Sequence, residues 1–298
     1  MRESWIRAVV LLVWAGGWAM GQEFKSPAAE PMDLRPPLPE AKYLQTEPAG
    51  EAAGAGSSEG ELAKKLSNPV SSLISVPFQS NFDFNAGQDN DKFKYTLNVQ
   101  PVIPISLNQD WNLIARVIVP VIYQEELFPG LDSNFGLGDT TSENFFSPKQ
   151  PVNGWIWGIG PAFLFPTATD TALGGGKWAA GPTGVVLRQE GPWTYGMLVN
   201  HLWSFAGDDD RRSVNATFIQ PFLAYNTKSG FGVTVQAEST YDWNESQWTI
   251  PVGVFASQVF KVGGQAMSAN FGPRYYVEGP SGAPEWGLRF TLTFLFPQ

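Results

Sequence analysis

The chain lacks cysteine and has one histidine among its 298 residues. After position 21 it also lacks an apolar run of the ~18 residues that a membrane-spanning helix needs. The missing cysteine excludes a disulfide framework and thiol chemistry, and a single imidazole leaves little for metal sites or proton relays. Charged residues make up only 16% of the chain and the net charge is -9, so no nucleic acid is expected as a partner.

Motifs that carry chemistry are also missing. The glycine-rich stretch 174–177 ends in lysine but lacks the serine or threonine and the helix of a phosphate-binding loop. His201 and Ser204 suggest a lipid-facing hydrolase, but residues three apart on a strand point to opposite faces. The aspartates at 208–210 are predicted to form a solvated loop tip rather than a metal site. We therefore predict no enzyme activity, no catalytic residue, no metal and no cofactor.

The first residues have the composition of an export signal. Arg2 and Arg7 precede a short apolar run, and small residues follow up to Gly21, which predicts a signal peptide over residues 1–21. A retained N-terminal anchor is the alternative. Residues 22–58 are rich in proline, alanine and glycine and are predicted to be a disordered periplasmic linker.

A short helix is predicted after this linker. Ser58 and Glu61 have the spacing of a capping box, and Asn68-Pro69 should end the helix. Residues 59–74 are thus predicted to be a short helix and its lead-in to the next domain. Whether the helix lies below that domain or inside its mouth stays open.

Alternating polarity dominates the remainder of the chain. In 288–296 leucine and phenylalanine alternate with arginine and threonine, which predicts a strand with one apolar and one polar face. Similar alternation occurs in 76–86, 93–100, 231–242, 248–260 and 266–278. Less regular strands are predicted at 110–123, 138–148, 152–166, 176–189, 192–206 and 212–227. The prediction is all-β: a closed antiparallel up-and-down transmembrane β-barrel of about twelve strands over residues 75–298.

Turn lengths and aromatic residues agree with a barrel in the bacterial outer membrane. Short predicted turns alternate with longer loops such as 124–137 and 167–176, as in transmembrane barrels. The twelve tryptophans suit the two membrane–water interfaces. The expected partners are outer-membrane lipid, a small-molecule solute and the barrel insertion machinery, which reads a terminal strand ending in an aromatic residue such as Phe296.

The polar faces of the strands predict which side chains line the lumen. An arginine facing lipid near mid-membrane costs about 2–4 kcal/mol, so the arginines among these strands should point inward. The side chains either select solutes in a pore or form an internal network of ion pairs. The candidate lumen-lining residues are Gln79, Asn98, Gln100, Arg116, Gln236, Glu238, Asp242, Arg274, Glu278 and Arg289.

Several stretches together resemble a bacterial outer-membrane barrel family, the phenol-degradation proteins of the meta-cleavage type, some of which carry the misplaced label neuromedin U. The stretches are 68–79, 100–104, 110–114, 136–139, 160–169 and 203–207. The resemblance implies an outer-membrane barrel that moves small hydrophobic or aromatic compounds, and it supplies no catalytic residues.

The predicted function is passive or facilitated passage of small solutes, hydrophobic or aromatic ones among them, across the outer membrane. The alternative is a structural or adhesive barrel with a closed lumen, whose loops 124–137 and 206–212 contact partners. A soluble periplasmic β-sandwich is the weakest competitor, because it gives no reason for the alternation of short turns and long loops.

Overall fold

The computed structural model describes residues 57–127 and 132–297. The predicted signal peptide and nearly all of the predicted linker lie outside these residues. The described chain forms one helix, α1 (Glu59–Leu66), and fifteen strand segments that make twelve barrel strands, because three strands are each split into two segments. None of the helices in the described part is long and apolar enough to cross a membrane.

The twelve strands are named in chain order. They are β1 (Ile74–Ala86), β2 (Lys92–Val99 and Val102–Ser106), β3 (Trp111–Gln124), β4 (Asn134–Leu137 and Thr140–Pro148), β5 (Trp155–Phe165), β6 (Lys177–Glu190), β7 (Trp193–Gly207), β8 (Asn215–Asn226), β9 (Phe231–Ala237 and Ser239–Asp242), β10 (Gln247–Val262), β11 (Gln265–Glu278) and β12 (Trp286–Phe296). The predicted fold class, a closed antiparallel barrel of twelve strands, is confirmed.

Each strand pairs antiparallel with its neighbours in sequence, and the last strand closes the barrel on the first. The register of this closing pair runs from Ile74 opposite Phe296 to Phe84 opposite Trp286. Within residues 57–127 and 132–297, closure leaves the sheet without a free edge strand, which satisfies the backbone in a hydrocarbon environment where water cannot do so.

The two ends of the barrel differ in their connections. The start of β1 and the end of β12 share one end with short turns, such as Gly263-Gly264 between β10 and β11. Both glycines have positive φ, +55° and +84°, which a two-residue hairpin turn of this kind requires. The opposite end carries the longer loops, among them 166–176, 208–214 and 279–285. Since barrel termini lie in the periplasm, the long loops mark the outer end.

The outside of the barrel is apolar and bounded by aromatic side chains. Near the inner end Trp193 contacts Tyr225 with ring centroids 4.9 Å apart, and near the outer end Trp286 stacks on Phe84 at 4.5 Å. On β12 the outward Phe290 is 42% exposed whereas the neighbouring Arg289 is 4% exposed. The alternation in the sequence thus separates a lipid-facing surface from a polar interior.

Small residues in β5 and β6 permit close backbone approach. A Cβ added at Gly160 would lie 1.9 Å from the carbonyl oxygen of Asn144, so only glycine fits there. Pro161 lies opposite Pro182, and neither residue has an N–H to donate. The side-chain amide of Asn144 donates to the Pro161 carbonyl at 3.4 Å and satisfies part of this interrupted pairing.

Candidate solute site in the barrel interior

The helix α1 is formed by local signals that the sequence displays. The Glu61 N–H donates to the Ser58 hydroxyl at 3.3 Å, and the Ser58 N–H donates to the Glu61 carboxylate at 3.0 Å, completing the capping box. The helix ends at Leu66, and the Val70 N–H then donates to the Asn68 side chain at 3.0 Å. We call residues 58–73 the plug.

The plug lies inside the inner mouth of the barrel. Leu62 and Leu73 pack in one buried cluster with Val259 and Leu295, which point inward from β10 and β12. Farther along the plug, Val70 enters a second buried cluster formed by Ile114, Phe145, Val185, Leu187 and Leu198. The plug therefore fills the inner mouth through apolar contacts on both sides of the barrel.

Two side-chain hydrogen bonds also attach the plug to the wall. The Gln189 amide donates to the Lys64 carbonyl at 2.8 Å, and the Asn226 amide donates to the Ser67 hydroxyl at 2.9 Å. Neither bond involves a charged group, so each contributes about 1 kcal/mol. The plug is held by shape and by neutral contacts rather than by ion pairs.

Above the plug, three inward-facing arginines each meet a carboxylate from another strand. We call the three pairs the ionic layer. Arg289 donates to both carboxylate oxygens of Glu238 at 2.8 and 2.6 Å, and its Nε donates to Asn81 at 2.7 Å. Arg274 makes a bidentate contact with Asp83, with 2.9 Å between Nε and Oδ1. Planar guanidinium and carboxylate groups match in this arrangement, which gives the strong form of an ion pair.

The third pair joins β3 and β4. Arg116 donates to Glu143 at 3.2 Å and to Gln100 at 2.8 Å, while the Asn200 amide donates to the other Glu143 oxygen at 2.7 Å. Glu143 is only 2% exposed, so its charge depends on these two donors. Polar partners on four strands, β2, β3, β4 and β7, thereby become linked across the lumen.

A cavity of about 280 Å³ lies between the plug and the ionic layer, and we call it the chamber. Three parts of the protein line it: the plug, the strands and the ionic layer. The plug contributes Ala63, Lys65, Leu66, Ser67, Asn68, Pro69, Ser71 and Leu73; the strands contribute mainly hydroxyl and amide side chains; and the ionic layer contributes Arg116, Glu238 and Arg289. The arrangement forms a binding space with both apolar and polar walls.

The outer end of the lumen is partly covered by the loop between β5 and β6. Leu173 in this loop is 7% exposed. Asp139 accepts hydrogen bonds from the backbone of Ala168 at 3.2 Å and Gly175 at 2.6 Å, and Arg211 donates to the Thr171 carbonyl at 2.5 Å. These bonds attach the loop to the barrel rim.

The ten residues predicted to line the lumen fall into three groups. The chamber is lined by Gln79, Gln100, Arg116, Gln236, Glu238 and Arg289. Asn98 faces the interior because it lies opposite Gln79, and Arg274 belongs to the ionic layer. Asp242 and Glu278 instead lie at the outer ends of β9 and β11, where Asp242 pairs with the exposed Arg212 and accepts from the Asn244 N–H at 2.9 Å. These two carboxylates belong to the outer rim because their strands end there.

Sequence reasoning left out the acidic partners of two arginines. Asp83 and Glu143 both point into the barrel. The alternation of side chains along a strand is the signal that would have identified them as lumen-lining residues. Asp83 lies within a regular alternating segment, whereas the 138–148 segment shows weaker alternation. Asn200, which supports Glu143, lies on the polar side of β7 and was likewise not singled out.

His201 and Ser204 lie on opposite faces of β7. His201 faces outward, where its ring nitrogens lie 2.7 Å from the Thr217 hydroxyl and 3.1 Å from Asn215, and its ring lies 3.9 Å from Trp203. Ser204 accepts from the Val214 N–H at 2.9 Å. The two side chains do not form a nucleophile–base pair.

A closed barrel with an apolar exterior, aromatic borders and a charged interior defines a bacterial outer-membrane β-barrel, and the chain is located in the outer membrane. Its structure is similar to an outer membrane channel from Pseudomonas putida F1, with a TM-score of 0.59 and 15% identity over 75% of this chain and 94% of that chain. No protein-family model and no curated protein matches the sequence, so the resemblance to the phenol meta-cleavage family stays a prediction.

Two further outer-membrane proteins align with lower TM-scores. The outer membrane phospholipase A from Escherichia coli has a TM-score of 0.38 and 13% identity, covering 81% of this chain and 99% of that chain. OccK1 from Pseudomonas aeruginosa has a TM-score of 0.35 and 7% identity, covering 76% and 98%.

Proposed function

We propose that this protein is an outer-membrane channel or transporter for the passive or facilitated passage of small solutes, hydrophobic or aromatic ones among them. The observation that carries the proposal is the chamber of about 280 Å³ inside a closed transmembrane barrel. A barrel that served only as a scaffold would gain stability by filling this space, because interiors pack to high density. The similarity to a structure described as an outer membrane channel supports the proposal.

Passage requires that the plug shift, because it fills the inner mouth. Its neutral hydrogen bonds and apolar contacts can separate without exposing an unpaired buried charge. The ion pairs above it, in contrast, brace the wall and stay formed. The moving part of the passage is therefore the plug rather than the ionic layer.

A second candidate function is a structural or adhesive barrel with a closed lumen. The plug and the loop held by Asp139 and Arg211 favour it, since they obstruct both ends of the lumen.

We also propose that the protein is no enzyme, because His201 and Ser204 face opposite sides of the wall.

Cysteine pairs can test the role of the plug, because the natural chain has no cysteine. Leu62→Cys with Val259→Cys joins two side chains of one buried cluster. In proteoliposomes, the reduced double variant should admit small neutral solutes, measured by osmotic swelling, and oxidation should stop the swelling. The two single-cysteine variants are the matched controls and should not respond to oxidant.

The result that would refute the channel function is the absence of solute flux from correctly folded protein whose plug has been loosened, for example by Leu62→Ser with Leu73→Ser. Equal swelling in the oxidised and reduced double variant would instead show that the plug does not control the passage. Unheated gel mobility checks that each variant is folded.

A further inference from the structure

One wall of the chamber carries neutral hydrogen-bonding groups on adjacent strands. Thr293 lies opposite Ser268, and Thr291 lies opposite Asn270, which in turn lies opposite Ser257. Among the described residues, the hydroxyls of these four serine and threonine side chains make no hydrogen bond, and the Asn270 carboxamide oxygen is buried without a partner. Unused donors and acceptors that border a cavity are positioned to bind a guest.

Apolar side chains also border the chamber, beside its other polar groups. Phe222 and Val102 contribute from the strands, and Leu66 and Leu73 contribute from the plug. Phe255 closes the outer side, where its ring lies 5.0 Å below the Arg289 guanidinium carbon. A molecule that fits both surfaces has an apolar body and a hydrogen-bonding group at one edge.

The charged groups at the chamber are already engaged. Arg289 and Glu238 pair with each other through two hydrogen bonds, and Arg116 is shared between Glu143 and Gln100. A charged guest would lose its hydration without gaining an unpaired ion of opposite charge from this layer. Lys65 also borders the chamber, but it is exposed and therefore screened by water.

The size of the chamber sets an upper limit on the guest. A cavity of about 150 Å³ lined by apolar side chains accommodates benzene. The chamber, at about 280 Å³, therefore has room for one ring with a polar substituent and a few waters. A fused multi-ring compound would have to displace the plug.

We propose that the chamber is a binding site for small uncharged molecules that combine one apolar ring or chain with a hydroxyl or amide group. This assignment rests on the proposed passage of solutes, and it narrows their class: charged molecules of the same size and purely apolar molecules bind less well. The hydroxyls of β10–β12 supply the selectivity.

Three probes of nearly equal shape test the proposal: benzamide is neutral, benzoate is an anion and benzamidinium is a cation. Binding to the full chain in lipid nanodiscs is measured by ligand-observed NMR, with empty nanodiscs subtracted. Benzamide should bind at least about tenfold more tightly than either ion, because burying an unpaired charge costs more than one decade of affinity.

Variants locate the binding in the chamber. Thr291→Val together with Thr293→Val removes two hydroxyls while keeping the side-chain shape, and should weaken benzamide binding about fivefold or more. Thr96→Val is the matched control, since Thr96 faces the interior opposite Asn81 but does not line the chamber. Ser268→Phe fills the chamber and should abolish the binding of all three probes.

Either ion binding as tightly as benzamide would overturn the proposal. Benzamide binding that is unchanged in the Thr291/Thr293 double variant would overturn it as well. The outcome is separable from that of the proposed function: selective binding without flux refutes the channel and leaves the site, whereas flux without selective binding refutes the site and leaves the channel.

Discussion

Removal of one partner from the Arg289–Glu238 ion pair should strongly destabilise the barrel. The Arg289 side chain is 5% exposed and that of Glu238 is 22% exposed, so little water can replace a lost partner. Arg289→Met leaves the Glu238 carboxylate without both guanidinium hydrogen bonds and takes a donor from Asn81. Breaking a buried pair from one side costs about 3–5 kcal/mol, and this variant should lose a free energy of unfolding in that range.

A second substitution distinguishes the lost pair from lost packing. In Arg289→Met with Glu238→Leu both charges disappear together, and much of the stability should return, because replacing a buried ion pair by apolar groups is often close to neutral. Arg212→Met is the matched control for the arginine change. Arg212 is 57% exposed and pairs with Asp242 at the outer rim, so its loss should cost less than about 1 kcal/mol.

The assay is reversible urea unfolding in lipid vesicles, followed by tryptophan fluorescence and by the mobility of unheated samples in gels. The reasoning is wrong if Arg289→Met and Arg212→Met lose equal stability. It is also wrong if the double variant is less stable than Arg289→Met, since that would mean that the stabilising contribution of Glu238 does not depend on Arg289.

Three further predictions concern the wall. His201→Ala should lower the free energy of unfolding by about 1–2 kcal/mol, because Thr217 loses the imidazole that lies 2.7 Å from its hydroxyl on the lipid-facing side. Solute flux should not change. A loss of flux at normal stability would contradict the outward orientation of His201. Gly160→Ala should prevent folding of the barrel, measured by the mobility of unheated samples in gels, because the added Cβ would lie 1.9 Å from a carbonyl oxygen of β4. Gly184→Ala is the control and should fold, because the atom nearest to its Cβ would be 3.7 Å away. Equal folding of the two variants would refute the close approach of the backbones at Gly160. Val254 is 46% exposed on the lipid-facing surface. Val254→Arg places a charge there and should lower the free energy of unfolding by about 2–4 kcal/mol. If the variant lost no measurable stability, Val254 would not be in contact with lipid.

Local patterns in the sequence were sufficient for the strands and their orientation. On β12 the alternation between Phe290 and Arg289 assigns one side to lipid and the other to the interior, because side chains of a strand alternate with a period of two. The capping box at Ser58 predicted a helix start for the same kind of reason: the interacting groups are three residues apart. Both signals are contained within a few neighbouring residues.

The partners inside the barrel required the closed structure. Glu238 and Arg289 are far apart in the chain, and so are Asp83 and Arg274, so their meeting depends on strand register and barrel curvature. Asp242 and Glu278 show the limit of alternation. Their strands give them polar positions, but strand length decides that they reach the outer rim instead of the chamber.

The position of the plug also came only from the tertiary structure. Leu62, Ala63 and Leu66 indicate that the helix buries an apolar side, but the sequence does not say against what. The inward-facing apolar positions near the inner mouth, such as Val259 and Leu295, become a single surface only after β10 and β12 pair on either side of β11. The sequence thus determined strands, sidedness and a capped helix, because those depend on neighbours along the chain. The chamber, the ion pairs and the plug depend on residues that meet only across the lumen, so the tertiary structure decided them.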